Sequence, residues 1–125
     1  MTNITTDIRI SPETFKPGVF TEAEINFSLE SKDDALYWAE CIIEVPHPLS
    51  LAPDKKLFIG KTLVGIIGQG NRREKRLKLY SDSSIHPSVY QVKLIFYLYG
   101  ADGAIEDRKE VFKSIECGEI NAKVL

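Results

Sequence analysis

Ser88-Val89-Tyr90-Gln91-Val92-Lys93-Leu94-Ile95-Phe96-Tyr97-Leu98-Tyr99, followed by Gly100-Ala101-Asp102-Gly103, decides the fold class of this chain. Tyr90, Val92, Leu94, Phe96 and Leu98 are apolar and recur with period two, as one buried face of a pleated strand requires; aromatic and β-branched residues dominate the run. Asp102-Gly103 at the end of such a run is a hairpin signal. The stretch reads as one long central strand entering a hairpin, with Val92, Leu94 and Phe96 facing the core.

The flanking sequence repeats this pattern. Turn residues fall at short intervals between apolar runs, and no long stretch sustains period 3.6, which predicts an all-β protein. Ile4, Thr6, Ile8 and Ile10 share one face of a first strand that stops at Ser11-Pro12, because proline has no N–H to give a ladder. After Lys16-Pro17-Gly18 comes a second, with Ala23, Ile25, Phe27 and Leu29 inward and Glu24, Asn26 and Ser28 outward. A third, Leu36 to Val45, sets Tyr37, Ala39, Cys41, Ile43 and Val45 on one face and Trp38, Glu40, Ile42 and Glu44 on the other. A fourth covers Lys61 to Ile67 and a fifth runs from about Arg73 to Tyr80. The seventh lies within Ile105 to Cys117, where Glu106-Asp107-Arg108-Lys109-Glu110 blurs the alternation and predicts a bulge or a late start. About seven short strands joined by Greek-key connections predict an immunoglobulin-like antiparallel β-sandwich.

At 125 residues and 14.1 kDa, a single domain spanning residues 1–125 is expected, burying roughly two-thirds of its unfolded surface. No apolar run approaches the ~20 residues of a spanning helix, and Met1-Thr2-Asn3-Ile4-Thr5-Thr6-Asp7 lacks a basic and an apolar leader segment. A cytoplasmic location without membrane contact is the expectation. A net charge of −2 leaves no global field to draw nucleic acid. Cys41 and Cys117 are read as free thiols: with the third, sixth and seventh strands in one sheet, two strand spacings of about 4.8 Å separate them, beyond the roughly 7 Å a disulfide spans.

Phe15-Lys16-Pro17-Gly18, Ala23-Glu24-Ile25-Asn26-Phe27-Ser28-Leu29, the Trp38 strand ending in Val45-Pro46, and Pro87-Ser88-Val89-Tyr90-Gln91-Val92 leading to Gly100-Ala101-Asp102-Gly103 together cover most of the chain. In this order they resemble CARDB-type modules and related immunoglobulin-like domains of archaeal proteins. The resemblance implies an immunoglobulin-like sandwich; such modules usually occur as repeats in extracellular proteins.

No residue set reads as catalytic, metal-binding or cofactor-binding. His47 and His86 sit beside prolines in turns, and no Cys, Asp or Glu spacing completes a metal set around them. Both thiols fall on inward faces, where ionisation is suppressed. Two surface groups stand out instead. Arg72, Arg73, Lys75, Arg76 and Lys78, following Gly68-Gln69-Gly70-Asn71, form a basic hairpin. It lacks the Gly-Lys-Ser/Thr and the helix of a phosphate loop, and reads as a solvated hairpin guarding an edge. The other group is Trp38, Ile42, Ile95, Tyr97 and Tyr99, which share the outer side of neighbouring strands and form a candidate interaction face, unless a loop such as Pro46 to Gly60 covers it. The expected function is a non-catalytic intracellular protein-interaction or scaffolding module without a cofactor, acting on a protein partner or on itself. The alternatives are a carbohydrate-binding module, whose aromatic side chains stack sugars, and a nucleic-acid accessory protein using the basic hairpin.

Overall fold

Each period-two run forms a strand in the computed structural model, which describes residues 4–118. In chain order the strands are β1 (Ile4–Ser11), β2 (Thr14–Phe15), β3 (Thr21–Ser31), β4 (Tyr37–Glu44), β5 (Leu49–Ser50), β6 (Ile59–Ile67), β7 (Arg72–Ser81), β8 (Ser88–Tyr99) and β9 (Ile105–Cys117). They build a four-stranded sheet in the order β1-β3-β7-β5 and a five-stranded sheet in the order β2-β9-β8-β4-β6. All pairings are antiparallel except the two-residue contact of β2 with β9. The fold is an immunoglobulin-like β-sandwich.

Alternation explains the sandwich directly. Ile25, Phe27 and Leu29 leave one sheet and Cys41, Ile43, Leu94, Phe96 and Leu98 leave the other, and all are buried in a shared core. The Phe27 and Phe96 rings meet edge-to-face at 5.4 Å between centroids, an arrangement the ring quadrupoles favour. The central strand keeps the bounds read from the sequence, and the β8–β9 connection bends at Gly103, whose φ is +81°.

Three features depart from the expected layout, and one expected irregularity is located. The structure has two further strands, β2 and β5, each of two residues and so too short to show a period. The fourth and fifth strands are longer than their sequence signals, beginning at Ile59 and spanning Arg72–Ser81. The irregularity expected in the seventh strand is a bulge and not a late start: β9 runs from Ile105, and Glu106 is the extra residue between Asp107, opposite Leu98, and Ile105, opposite Tyr99. Most consequentially, the basic segment is not one arm of a hairpin. β6 pairs with β4 and β7 with β3, so the Gly68–Asn71 turn carries the chain from one sheet to the other.

Both thiols are free and buried, on the same sheet but far apart. Cys41 lies opposite Phe96 and Cys117 opposite Ser88, roughly 27 Å apart along β8 at about 3.4 Å per residue. Burial pushes the Cys41 thiol up to about 12 and raises Cys117 as well. A native-state thiol reagent at pH 8 is therefore expected to leave Cys41 untouched, and unfolding without reductant to expose two reactive groups; finding none would reveal a bridge. Because the fold favours neutral Cys41, its contribution to stability is present below pH 9, where the unfolded thiol ionises, and is lost towards about pH 12.

Candidate interaction face

Residues directly opposite in neighbouring strands share a face, so register alone arranges the outer side of the five-stranded sheet into rows from β9 through β8 and β4 to β6. The first row is Ile105, Tyr99, Trp38, Ile66; the second Arg108, Tyr97, Glu40, Leu63. The third is Glu110, Ile95, Ile42, Lys61, and the fourth Phe112, Lys93, Glu44, Ile59. All five residues expected on this face are present and contiguous.

The first row is an apolar band across the full width of these strands, with Ile105 58%, Trp38 43% and Ile66 41% exposed. Leu63 is exposed in the next row and Ile59 and Phe112 at the far end of the face in the fourth, whereas Ile95, at 5%, is enclosed by its neighbours. Sandwich sheets ordinarily offer water a polar outer side, so this band is a surplus of exposed apolar surface, of the kind that contact sites present. The Pro46–Gly60 segment does not cover it. After β4 the chain crosses to the opposite sheet, where Leu49 and Ser50 pair with Ser81 and Tyr80, and Ser50 Oγ closes the loop by accepting from Leu57 N at 3.0 Å and donating to Lys55 O at 2.8 Å.

Charges on the face neutralise one another. Glu110 accepts from Lys93 at 3.1 Å and from Arg108 at 2.6 Å, and Lys61 reaches Glu40 at 3.3 Å. Arg108 and then Lys93 hold the Glu110 carboxyl below its usual range, while the Glu40 carboxylate, taking a hydrogen bond from the Tyr99 hydroxyl, holds that phenol above its own. The Arg108 guanidinium also lies 5.8 Å from the Tyr97 ring centroid. Lys61, Lys93 and Arg108 thus balance Glu40, Glu44 and Glu110 within these rows.

The basic segment is divided by the pleat. Arg72, Arg76 and Lys78 point outward from the four-stranded sheet and are paired with Glu74 at 3.1 Å, Glu24 at 3.4 Å and Glu22 at 3.1 Å. Arg73 and Lys75 stand opposite Leu29 and Phe27, on the other side of β7. Arg73 Nε donates to Ile66 O at 3.1 Å, spanning the sandwich edge instead of offering its charge. Five cations adjacent in sequence therefore form no single patch. His47 lies 3.9 Å from Asp82, and His86 packs its ring against Tyr90, whose hydroxyl donates to the His86 carbonyl at 2.8 Å. Among the described residues no three His, Cys, Asp or Glu side chains gather as a metal set.

No protein-family model and no curated protein matches the sequence. Solved structures share its fold. The complex of zinc 2-glycoprotein and prolactin-inducible protein from human seminal plasma contains a chain that aligns over 90% of this chain and 93% of its own, with 11% identity and a TM-score of 0.63. AvmM, which catalyses macrocyclization in alchivemycin A biosynthesis, aligns over 98% and 93% with 10% identity and a TM-score of 0.59. The CARDB domain of a Pyrococcus furiosus protein, in complex with di-metal ions, aligns over 93% of each chain with 10% identity and a TM-score of 0.51. At such identities the likeness is one of fold, and the CARDB resemblance is met at that level.

Proposed function

We propose that this chain is a non-catalytic protein-interaction module that docks a protein on the outer face of its five-stranded sheet. The supporting observation is the exposed row Ile105, Tyr99, Trp38 and Ile66, uninterrupted by charge across four strands. Tyr and Trp suit protein interfaces because they bury large area while keeping a polar tip. A sugar needs free hydrogen-bonding groups around its stacking platform, whereas the polar groups beside Trp38 are engaged with one another, Glu40 with Tyr99 and Lys61, and Arg108 with Glu110. The paired cations of β7 likewise favour a protein partner over a polyanion. The likeness to an enzyme and to a metal-bound domain brings neither chemistry here, since likeness of fold does not carry a site.

The test is recovery of tagged protein from its native extract, comparing wild type, Trp38→Lys and, on the opposite sheet, Arg76→Glu. A charge left unpaired in an apolar interface costs several kcal/mol, so a protein held by wild type and Arg76→Glu is expected to be lost with Trp38→Lys. Thermal unfolding should barely change, because Trp38 is half-exposed. Recovery unaffected by Trp38→Lys would overturn the face as the docking surface.

A further inference from the structure

We propose that the occupant of this face is a second copy of this chain, packed face to face about a two-fold axis parallel to the strands and midway between β8 and β4. The inference rests on the interaction reading above and adds the partner. Rotation about that axis keeps each row at its own level and reverses its lateral order, so β8 of one copy covers β4 of the other, and β9 covers β6. Like then meets like and acid meets base. Tyr99 falls on Trp38 of the second copy, Ile105 on Ile66, Ile95 on Ile42 and Phe112 on Ile59, while Glu110 falls on Lys61 and Lys93 on Glu44. Tyr97, with a hydroxyl to donate, falls on Glu40. Arg108 meets Leu63, with its guanidinium already held by Glu110, so its methylene stem covers the leucine.

The alternative axis is much poorer. Turned perpendicular to the strands within the same plane, it sets Trp38 against Glu44, Tyr99 against Lys93 and Leu63 against Lys61, burying charges on apolar groups. Charge balance also favours a copy over an acidic or basic partner, because the face as a whole has no net charge to satisfy. Its extent is that of a small interface: four strands about 4.8 Å apart and the eight residues of β4 at about 3.4 Å each span roughly 19 by 27 Å, on the order of 500 Å² per partner before side-chain relief and the rim are counted, against the ~800 Å² of a standard interface. Aligned sheets pack in this way in sandwich cores, so the geometry is one the fold already uses.

Sedimentation equilibrium or light scattering tests the assignment with two charge reversals. Lys61→Glu alone sets acid against Glu110 of the second copy, and Glu110→Lys alone sets base against Lys61. Both contacts occur twice about the axis, so each variant is expected to dissociate at least roughly a hundredfold more readily than wild type, like-charge juxtaposition being costly. An equimolar mixture restores both acid–base contacts and is expected to give a heterodimer of twice 14.1 kDa. Circular dichroism confirms that each variant is folded, as exposed positions allow. A mixture that stays monomeric while wild type is dimeric overturns the register. Wild type monomeric up to about 100 μM, a weak affinity by any standard, overturns the second copy as occupant. The extract experiment then still decides separately whether the face binds another protein.

Discussion

Phe96→Ala is expected to lower the free energy of unfolding by roughly 3–5 kcal/mol, the loss typical of removing a large buried aromatic and leaving a cavity. Phe96 is fully buried on the central strand, between Cys41 on β4 and Lys109 on β9 in register, and its ring meets Phe27 of the opposite sheet at 5.4 Å. The pair bridges the two sheets, so truncation also forfeits an edge-to-face contact worth about 0.5–1.5 kcal/mol. A domain of this kind has only about 5–15 kcal/mol in all. Phe96→Leu, which keeps most of the volume, is therefore the companion variant that stays folded, at about 1 kcal/mol. Tyr97→Ala, one residue on and facing outward, should cost much less. Urea unfolding of the three variants reads the alternation directly, because a one-residue slip would reverse the order of Phe96 and Tyr97.

The same alternation explains how much of the molecule was legible beforehand. Where one face is buried, as along Ala23 to Leu29 or Tyr90 to Leu98, side-chain period two is imposed by the core and reappears in the sequence. The outer face was half legible. Trp38, Ile42, Ile95, Tyr97 and Tyr99 are out of phase with clear inward sets, but Ile66 is not. Counted from Val64 by twos, Ile66 reads as inward. In the structure Ala39 pairs with Gly65 and Glu40 with Leu63, so Val64 is the extra residue and the phase shifts, burying Ile67 and turning Ile66 out. Ile105 and Phe112 were hidden by the charged run between them. The passage of β6 and β7 into different sheets leaves no local mark, because a turn does not encode whether the next strand pairs back. That passage is what divides the basic segment and leaves Arg73 reaching for Ile66.

Gly68 is where that passage is built, and Gly68→Ala is expected to cost at least about 3 kcal/mol. Its sequence context, Gly68-Gln69-Gly70-Asn71, invites a phosphate-loop reading, but the structure requires a missing side chain for another reason. Gly68 has φ +121°, and a Cβ there would lie 2.0 Å from the Ala35 carbonyl oxygen and 3.1 Å from Leu36 Cα. The strained φ alone carries about 1–3 kcal/mol, and the clash falls on backbone, which cannot move aside as a flexible side chain does. Backing off would pull apart the clasp in which Gln69 N donates to Asp33 O at 2.6 Å and Gly70 N to Ser31 O at 3.0 Å. Gly70, with φ +82° and open space where its Cβ would go, isolates the conformational cost, so Gly70→Ala should lose only about 1–2 kcal/mol. Gly60 supplies the opposite control, because its Cβ would approach only the movable Leu51 Cδ1, at 2.9 Å. The clasp seats the segment from which β4 starts, and with it Trp38. Gly68→Ala should therefore weaken folding and association together, whereas Trp38→Lys should weaken association alone. Denaturant unfolding beside light scattering separates the two, and a Gly68→Ala protein as stable as Gly70→Ala would show that the close approach of residues 35 and 68 is not maintained in solution.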